Sequence, residues 1–115
     1  MASLTVDARR DGPYGLVRLK GEARLEVIEP LRTHVRGLLA AGTTRLLVDA
    51  AGLAFADSAS VGILLEVQRD AEKAGGGLVL YGATKRLVRM LEGMGLHTVF
   101  TLRPDEAGAR ASFGA

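Results

Sequence analysis

The sequence predicts an α/β domain whose mixed, mostly parallel sheet has about five strands and packs with about four helices. After an N-terminal turn signal, short apolar runs typical of buried strands alternate with longer segments whose apolar residues recur at helical spacing. Such alternation favours right-handed crossovers between parallel strands. At 115 residues, 48% of them hydrophobic, the chain suits one compact domain and is too short for two. We therefore expect a single domain over 1–115 with its core at about 3–102.

The N-terminal segment predicts an antiparallel hairpin. Two short runs with alternating apolar residues, 4–6 and 16–19, flank the turn-forming residues Asp11, Gly12 and Pro13. This hairpin would supply the one antiparallel edge of the sheet.

The first helix is predicted over 27–41. Pro30 is tolerated in a first turn, and Gly42 can end the helix in a left-handed conformation. The residues expected to face the core recur at helical spacing and are Val27, Leu31, Val35, Leu38 and Leu39.

A strand, a loop and a second helix follow. The run RLLVD at 45–49 predicts a buried strand, and LAFADS at 53–58 predicts a loop. Gly75 is expected to end the second helix. The inward face of this helix is predicted to consist of Val61, Leu64, Leu65, Gln68 and Ala71.

The last third of the chain predicts a strand, a helix and another strand. GLVLYG at 77–82 is the first of these strands, and HTVFTL at 97–102 is the second. Thr84 is the expected N-cap of the helix between them. Its apolar face would contain Leu87, Leu91 and Met94. The tail, 103–115, would form a short helix or fray.

Composition narrows the classes of function. The chain has no cysteine, which excludes disulfides, thiolate metal sites and a cysteine nucleophile. The N-terminus shows no signal-peptide pattern, and no apolar run approaches the roughly 20 residues that span a bilayer, so we expect a cytoplasmic protein. A net charge of only +2 and 4% aromatic residues argue against nucleic-acid binding. His34 and His97 lack the spacing of metal ligands, and no metal site is predicted.

The loop before helix two carries a concentration of small polar groups. Asp57, Ser58 and Ser60 follow a strongly apolar run. In parallel sheets, ligands and partners meet the loops at the carboxyl ends of strands. The conservative interpretation is that Ser58 only caps the helix. A serine at a helix start can also accept a phosphate, since exposed amides and the helix dipole favour negative charge there.

The segment from Arg45 to Leu102 resembles the STAS domain, the family of bacterial anti-sigma factor antagonists, and the similarity runs from the N-terminal hairpin to about Leu102. In that family, the pattern L-x-F-x-D-S-x-x-x-G links a strand to a helix. The residues of this chain that occupy it are Leu53, Phe55, Asp57, Ser58 and Gly62. The segment TKRLVRMLEGMGL with the apolar strand after it is also similar to the family.

The resemblance implies a STAS fold and a binding module, not an enzyme. It implies that Ser58 is the phosphoacceptor and that the unphosphorylated chain binds a serine-kinase anti-sigma factor and releases it once phosphorylated. A cognate phosphatase would reset the switch. Because the kinase brings ATP and metal, no cofactor is expected. Partner contacts would come from the 57–62 loop with Asp57, Ser60 and Gly62, and from Gly21, Glu22 and Arg24.

Two departures from the family pattern concern the same surface. The family commonly has Asp-Ser-Ser-Gly or Asp-Ser-Thr-Gly, whereas this chain has Ala59 and Ser60 after Ser58. Ser60 is therefore a less favoured alternative acceptor. The family often has an acidic residue where this chain has Arg24, and that cation could pair with Asp57 or with a phosphate on Ser58.

Two other functions stay open. The first is an unphosphorylated STAS scaffold in a transporter or signalling assembly, which would meet a membrane only indirectly. The second is a module that binds a nucleotide or lipid at the same loop. The sequence does not fix the oligomeric state, and a weak homodimer stays open.

Overall fold

In the part of the chain that the structure describes, the sheet has five strands in the order β1-β2-β3-β4-β5, and four helices pack on its two faces. The computed structural model describes residues 3–114. In chain order the elements are β1 (Leu4–Asp11), β2 (Tyr14–Ala23), α1 (Glu29–Ala40), β3 (Arg45–Ala56), α2 (Ser58–Lys73), β4 (Gly77–Tyr81), α3 (Lys85–Gly93), β5 (Thr101–Arg103) and α4 (Glu106–Ala111). β1 pairs antiparallel with β2, and every other neighbouring pair is parallel. The predicted mixed, mostly parallel sheet is confirmed.

The main core lies on one face of the sheet, under α1, α2 and α3. Alternating residues of β2 and β3 point into it and meet the apolar stripes of the three helices. The largest side chains that are wholly buried on this face are Leu19, Ile28, Leu31, Leu46, Leu53, Leu64, Leu80, Leu87 and Leu91.

The opposite face carries a smaller cluster under α4. Leu47, Val79 and Tyr81 pack there with Ala109, and Phe113 contacts the ring of Tyr14. The tail therefore forms the short helix that was one of its two predicted states. Within 3–114, no helix has both the length and the apolar character needed to cross a bilayer.

The predicted turns are confirmed by the backbone. Gly12 in the hairpin turn has φ +60°, and Gly42 after α1 has φ +84°. Pro30 lies in the first turn of α1. Thr84 caps α3 by accepting a hydrogen bond from the Leu87 amide at 3.1 Å.

Three expectations about elements were wrong. β3 runs through the predicted loop to Ala56, because its second half pairs with residues 20–23 of β2. The last strand begins at Thr101 instead of residue 97, since the preceding residues form turns. Met94 is 37% exposed, because α3 ends at Gly93 before it can complete the apolar face.

Candidate functional site

Asp57 joins three parts of the chain at the carboxyl edge of the sheet. It is the N-cap of α2, and its Oδ1 accepts a hydrogen bond from the Ser60 amide at 2.8 Å. Its Oδ2 accepts a hydrogen bond from the Leu25 amide at 3.0 Å. Its own amide donates to the Ala23 carbonyl at 2.9 Å. Asp57 therefore fixes the start of α2 to the segment that follows β2, and the expectation that Ser58 caps this helix was wrong.

The surroundings of Asp57 favour its ionised form. Partial burial raises the pKa of this carboxyl, but hydrogen bonds from the Ser60 and Leu25 amides and the charge of Arg24 outweigh that effect. The net result is a pKa below the ordinary value of 3.8. A negative charge therefore stands beside Ser58 at neutral pH.

The two serines of this loop lie in opposite environments. Ser58 is the first residue of α2 and its side chain is exposed. Ser60 has an exposed fraction of 0%, and its hydroxyl has no hydrogen-bond partner among the described residues. Ser58 is thus accessible to another protein in this conformation and Ser60 is not.

Gly62 lies one helical turn after Ser58 on the same side of α2. It is exposed, and a Cβ built on it would meet nothing within 4 Å. The packing of this chain therefore does not require glycine at 62. Its absence of a side chain leaves the backbone of α2 open to close approach beside Ser58.

Gly21 has a conformational reason to be glycine. Its φ is +107°, and an added Cβ would collide with the Ser3 carbonyl. The next amide, that of Glu22, donates to the same carbonyl at 2.9 Å. Gly21 therefore allows the start of the chain to pack against the end of β2, and nothing in its contacts requires a partner.

Arg24 stacks on an aromatic ring instead of pairing with Asp57. Its guanidinium carbon lies 4.4 Å from the centroid of the Phe55 ring, and its Nε donates to the Glu22 carboxylate at 2.9 Å. A second guanidinium, that of Arg86 at the start of α3, lies 5.8 Å from the same centroid. Partly exposed contacts of these kinds are each worth about 1 kcal/mol or less. Both cations can therefore be drawn to a stronger partner at low cost.

Sequence reasoning missed two exposed residues at this edge. Leu25 is 62% exposed, directly after Arg24. Arg86 is exposed and belongs to a distant part of the chain. Arg86 follows the loop between β4 and α3. Parallel strands bring such loops to one edge of the sheet, and this position was the one sequence feature that could have placed Arg86 near Asp57.

A charged cleft lies elsewhere, on the sheet face that α4 only partly covers. Asp7, Arg18, Asp49 and Tyr81 are register partners on four neighbouring strands. With Glu106 and other neighbours they line a cleft of about 340 Å³. Asp49 precedes Asp57 by eight residues, or more than about 20 Å of strand. The cleft is therefore separate from the loop that carries Asp57 and Ser58.

The family assignment rests on most of the chain. A family model described as "Mlab, STAS domain" matches residues 6–104. The chain belongs to the STAS family. The resemblance inferred from the Leu53 to Gly62 pattern is therefore confirmed, and the STAS fold agrees with the sheet order and helices described above.

Solved structures with the same fold come from several settings. An anti-sigma factor antagonist from Mycobacterium paratuberculosis is 22% identical with a TM-score of 0.79, over 98% of this chain and 96% of that one. The phosphorylated Bacillus cell fate determinant SpoIIAA is 20% identical with a TM-score of 0.70, over 96% and 99%. Part of the murine Slc26a9 anion transporter is 16% identical with a TM-score of 0.74, over 90% of this chain and 18% of that one. At these identities the similarity is one of fold.

Proposed function

We propose that this STAS domain is an anti-sigma factor antagonist whose binding is switched by phosphorylation of Ser58. The observation that carries the proposal is the pairing of an exposed Ser58 with an ionised Asp57 at the start of α2, next to a buried Ser60. Antagonists with this fold, such as the one from Mycobacterium paratuberculosis, support the general role. Unphosphorylated, the chain would bind a serine-kinase anti-sigma factor.

The switch would work by charge at a fixed surface. A phosphate adds about −1.5 to −2 charges at neutral pH. Before phosphorylation, a partner that binds here meets one negative charge, on Asp57, and the exposed Leu25. After phosphorylation, the same surface carries the phosphate charge as well. Burying the enlarged charge in an interface costs more than burying the hydroxyl, so the partner is released.

The proposed function requires two other proteins, a kinase and a phosphatase. The kinase supplies ATP and metal, and a phosphatase removes the phosphate, so the chain acts as substrate and ligand, without a cofactor and not as an enzyme. Such a switch operates in the cytoplasm. Contacts with the kinase would come from Asp57, Ser58, Gly62 and the neighbouring 21–25 segment.

The first experiment is mass spectrometry of the protein from its own cells. Trypsin releases Leu46–Arg69, in which Ser58 and Ser60 are the only hydroxyl-bearing residues. We expect phosphate on Ser58 under some growth conditions and none on Ser60. Phosphate on Ser60 alone would contradict the assignment of the acceptor, and its complete absence would contradict the switch.

The second experiment compares binding by matched variants. Ser58→Asp should lose the kinase, Ser58→Ala should keep it, and Ser60→Ala should behave as the parent does. Removing the unpaired Ser60 hydroxyl should change the free energy of unfolding by less than about 1 kcal/mol. Equal binding by all three variants and the parent would sink the mechanism.

A scaffold in a larger assembly is the second candidate. Its support is the similarity to part of an anion transporter, which shows that the fold also occurs inside a membrane protein chain. Under this alternative the chain copurifies with membrane-bound subunits and the Ser58→Asp and Ser58→Ala variants bind them equally. A third candidate, a nucleotide or lipid module, would show a ligand-dependent thermal shift.

A further inference from the structure

Two arginines, Arg24 after β2 and Arg86 at the start of α3, stack on the Phe55 ring at the edge of the sheet that carries the proposed phosphoacceptor. We propose that Arg24 and Arg86 form a clamp for the phosphate on Ser58, and that phosphorylation draws Arg24 away from Phe55 and Glu22. The inference rests on the proposed function only in taking Ser58 as the residue that carries the phosphate.

The backbone places Arg24 beside Ser58. The residues on either side of Arg24 are both hydrogen-bonded to Asp57, through the Ala23 carbonyl at 2.9 Å and the Leu25 amide at 3.0 Å. Arg24 is therefore held against the residue that immediately precedes Ser58. Its charge also contributes to the lowered pKa of Asp57, which agrees with this proximity.

Phe55 fixes the position of the second cation. Both guanidinium carbons lie within 6 Å of its ring centroid, at 4.4 Å for Arg24 and 5.8 Å for Arg86. Phe55 lies two residues before Asp57 at the end of β3. The ring thus holds two positive charges next to the start of α2, where neither has a buried carboxylate partner among residues 3–114.

The start of α2 offers a phosphate only part of its backbone amides. Asp57 already occupies the Ser60 amide through its carboxylate and the Val61 amide through its carbonyl. The same carboxylate repels a phosphate on the next residue. The Ser58 and Ala59 amides remain at this end of the helix. The nearby arginines add positive charge that these amides lack, and a guanidinium can bind phosphate with two parallel hydrogen bonds.

A phosphate is a stronger partner than those that Arg24 has now. Its present contacts are a cation–π stack and a pair with Glu22, in which the two side chains are 36% and 40% exposed. Charge-assisted hydrogen bonds to a doubly charged phosphate exceed such contacts. Once Arg24 moves, it no longer covers the Phe55 ring and the Glu22 carboxylate. One modification would therefore change both the start of α2 and the 21–25 segment, the two parts of the chain proposed to bind the partner.

The test uses the full chain with phosphoserine encoded genetically at position 58, so no kinase is needed. The second pKa of the phosphate, ordinarily about 6, is measured by ³¹P NMR titration. We expect it to lie at least about 0.5 units lower in the parent than in Arg24→Gln, with a smaller shift for Arg86→Gln. The charge-matched control is Arg69→Gln on α2, which lies about 16 Å along the helix from Ser58 and should leave the value unchanged.

A second readout keeps the test independent of folding in the variants. In the parent, phosphorylation should shift the Arg24 Nε–H resonance downfield as the side chain leaves the ring face, and Arg24→Lys should restore part of the phosphate pKa shift. Equal phosphate pKa values in the parent and both arginine variants, or an unmoved Arg24 resonance, would overturn the clamp. Absence of phosphate on Ser58 in cells would instead contradict the proposed function and leave the clamp measurement standing.

Discussion

The two faces of the sheet each carry a helix capped by an aspartate, yet the two carboxylates differ in the number of chain segments to which they are hydrogen-bonded. Asp57 caps α2, a helix of 16 residues over the main core, and Asp105 caps α4, a helix of six residues on the opposite face. Both carboxylates accept a hydrogen bond at 2.8 Å from the third amide of the helix. Only the Asp57 carboxylate also holds an amide of another segment, that of Leu25.

The comparison shows that a residue can be exposed and still be held in a fixed position. On the main face, apolar burial fixes α2 so firmly that its first residue, Ser58, can stay exposed in a defined position. On the other face, α4 relies on a few apolar contacts and on the partly exposed pair of Arg110 with Asp11 at 2.6 Å. A site that must be presented to a partner without rearranging belongs on the better anchored side.

The largest expected effect is a difference in stability loss between two substitutions on β2, one on each face of the sheet. Leu19 and Leu16 lie on β2 but point to opposite faces, the first wholly buried in the main core and the second half-buried beneath α4. Leu19→Ala should lower the free energy of unfolding by about 2–5 kcal/mol through the lost burial and the cavity left behind. Leu16→Ala should cost only about 1 kcal/mol. Urea denaturation measures both, and equal losses would contradict the assignment of the main core.

The next effect compares the caps. Asp57→Ala should cost about 2 kcal/mol, because it removes the cap and also leaves the Leu25 amide without its partner. Asp105→Ala should cost about 1 kcal/mol or less in global stability, with its main effect on hydrogen-exchange protection within α4. Similar losses from the two variants would show that the bond to Leu25 contributes nothing.

The contribution of Asp57 should depend on pH in a defined direction. Because its folded pKa lies below 3.8, the unfolded chain takes up the proton first as pH falls. The stabilisation is therefore present above about pH 4 and is lost as pH falls through the folded pKa. The stability difference between the parent and Asp57→Asn should shrink over that range, and a constant difference would contradict the lowered pKa.

The smallest effect concerns Tyr81 on the second face. Burial, together with the charges of Asp49 and Glu106, raises the pKa of its phenol to about 12. A tyrosinate absorbance titration should show one of the two tyrosines ionising near pH 12, and Tyr81→Phe should remove that step. Its hydrogen bond to Glu106 is long, 3.4 Å, so the substitution should cost less than about 1 kcal/mol. A high-pH step retained in the variant would contradict the raised pKa of Tyr81.

Local chemistry in the sequence determined the order of elements and most of their ends. Helical spacing identified α1 to α3, and Gly12, Gly42 and Thr84 marked turns and a cap because their conformations and hydrogen bonds depend on neighbouring residues alone. The pattern around Asp57 and Ser58 likewise identified the family through local residues. The extension of β3 to Ala56 was not predictable in this way, since its hydrogen-bond partners lie more than 30 residues away on β2.

The tertiary structure alone decided which polar groups of the candidate site meet one another. The sequence offered Ser58 as a cap and Ser60 as a less favoured alternative acceptor. Only the packing of α2 against the core made Asp57 the cap and buried Ser60. The meeting of Arg24 and Arg86 at Phe55 likewise needed the parallel sheet to bring separate loops to one edge. Sequence spacing records neighbours along the chain, whereas contacts between loops depend on strand order and helix packing.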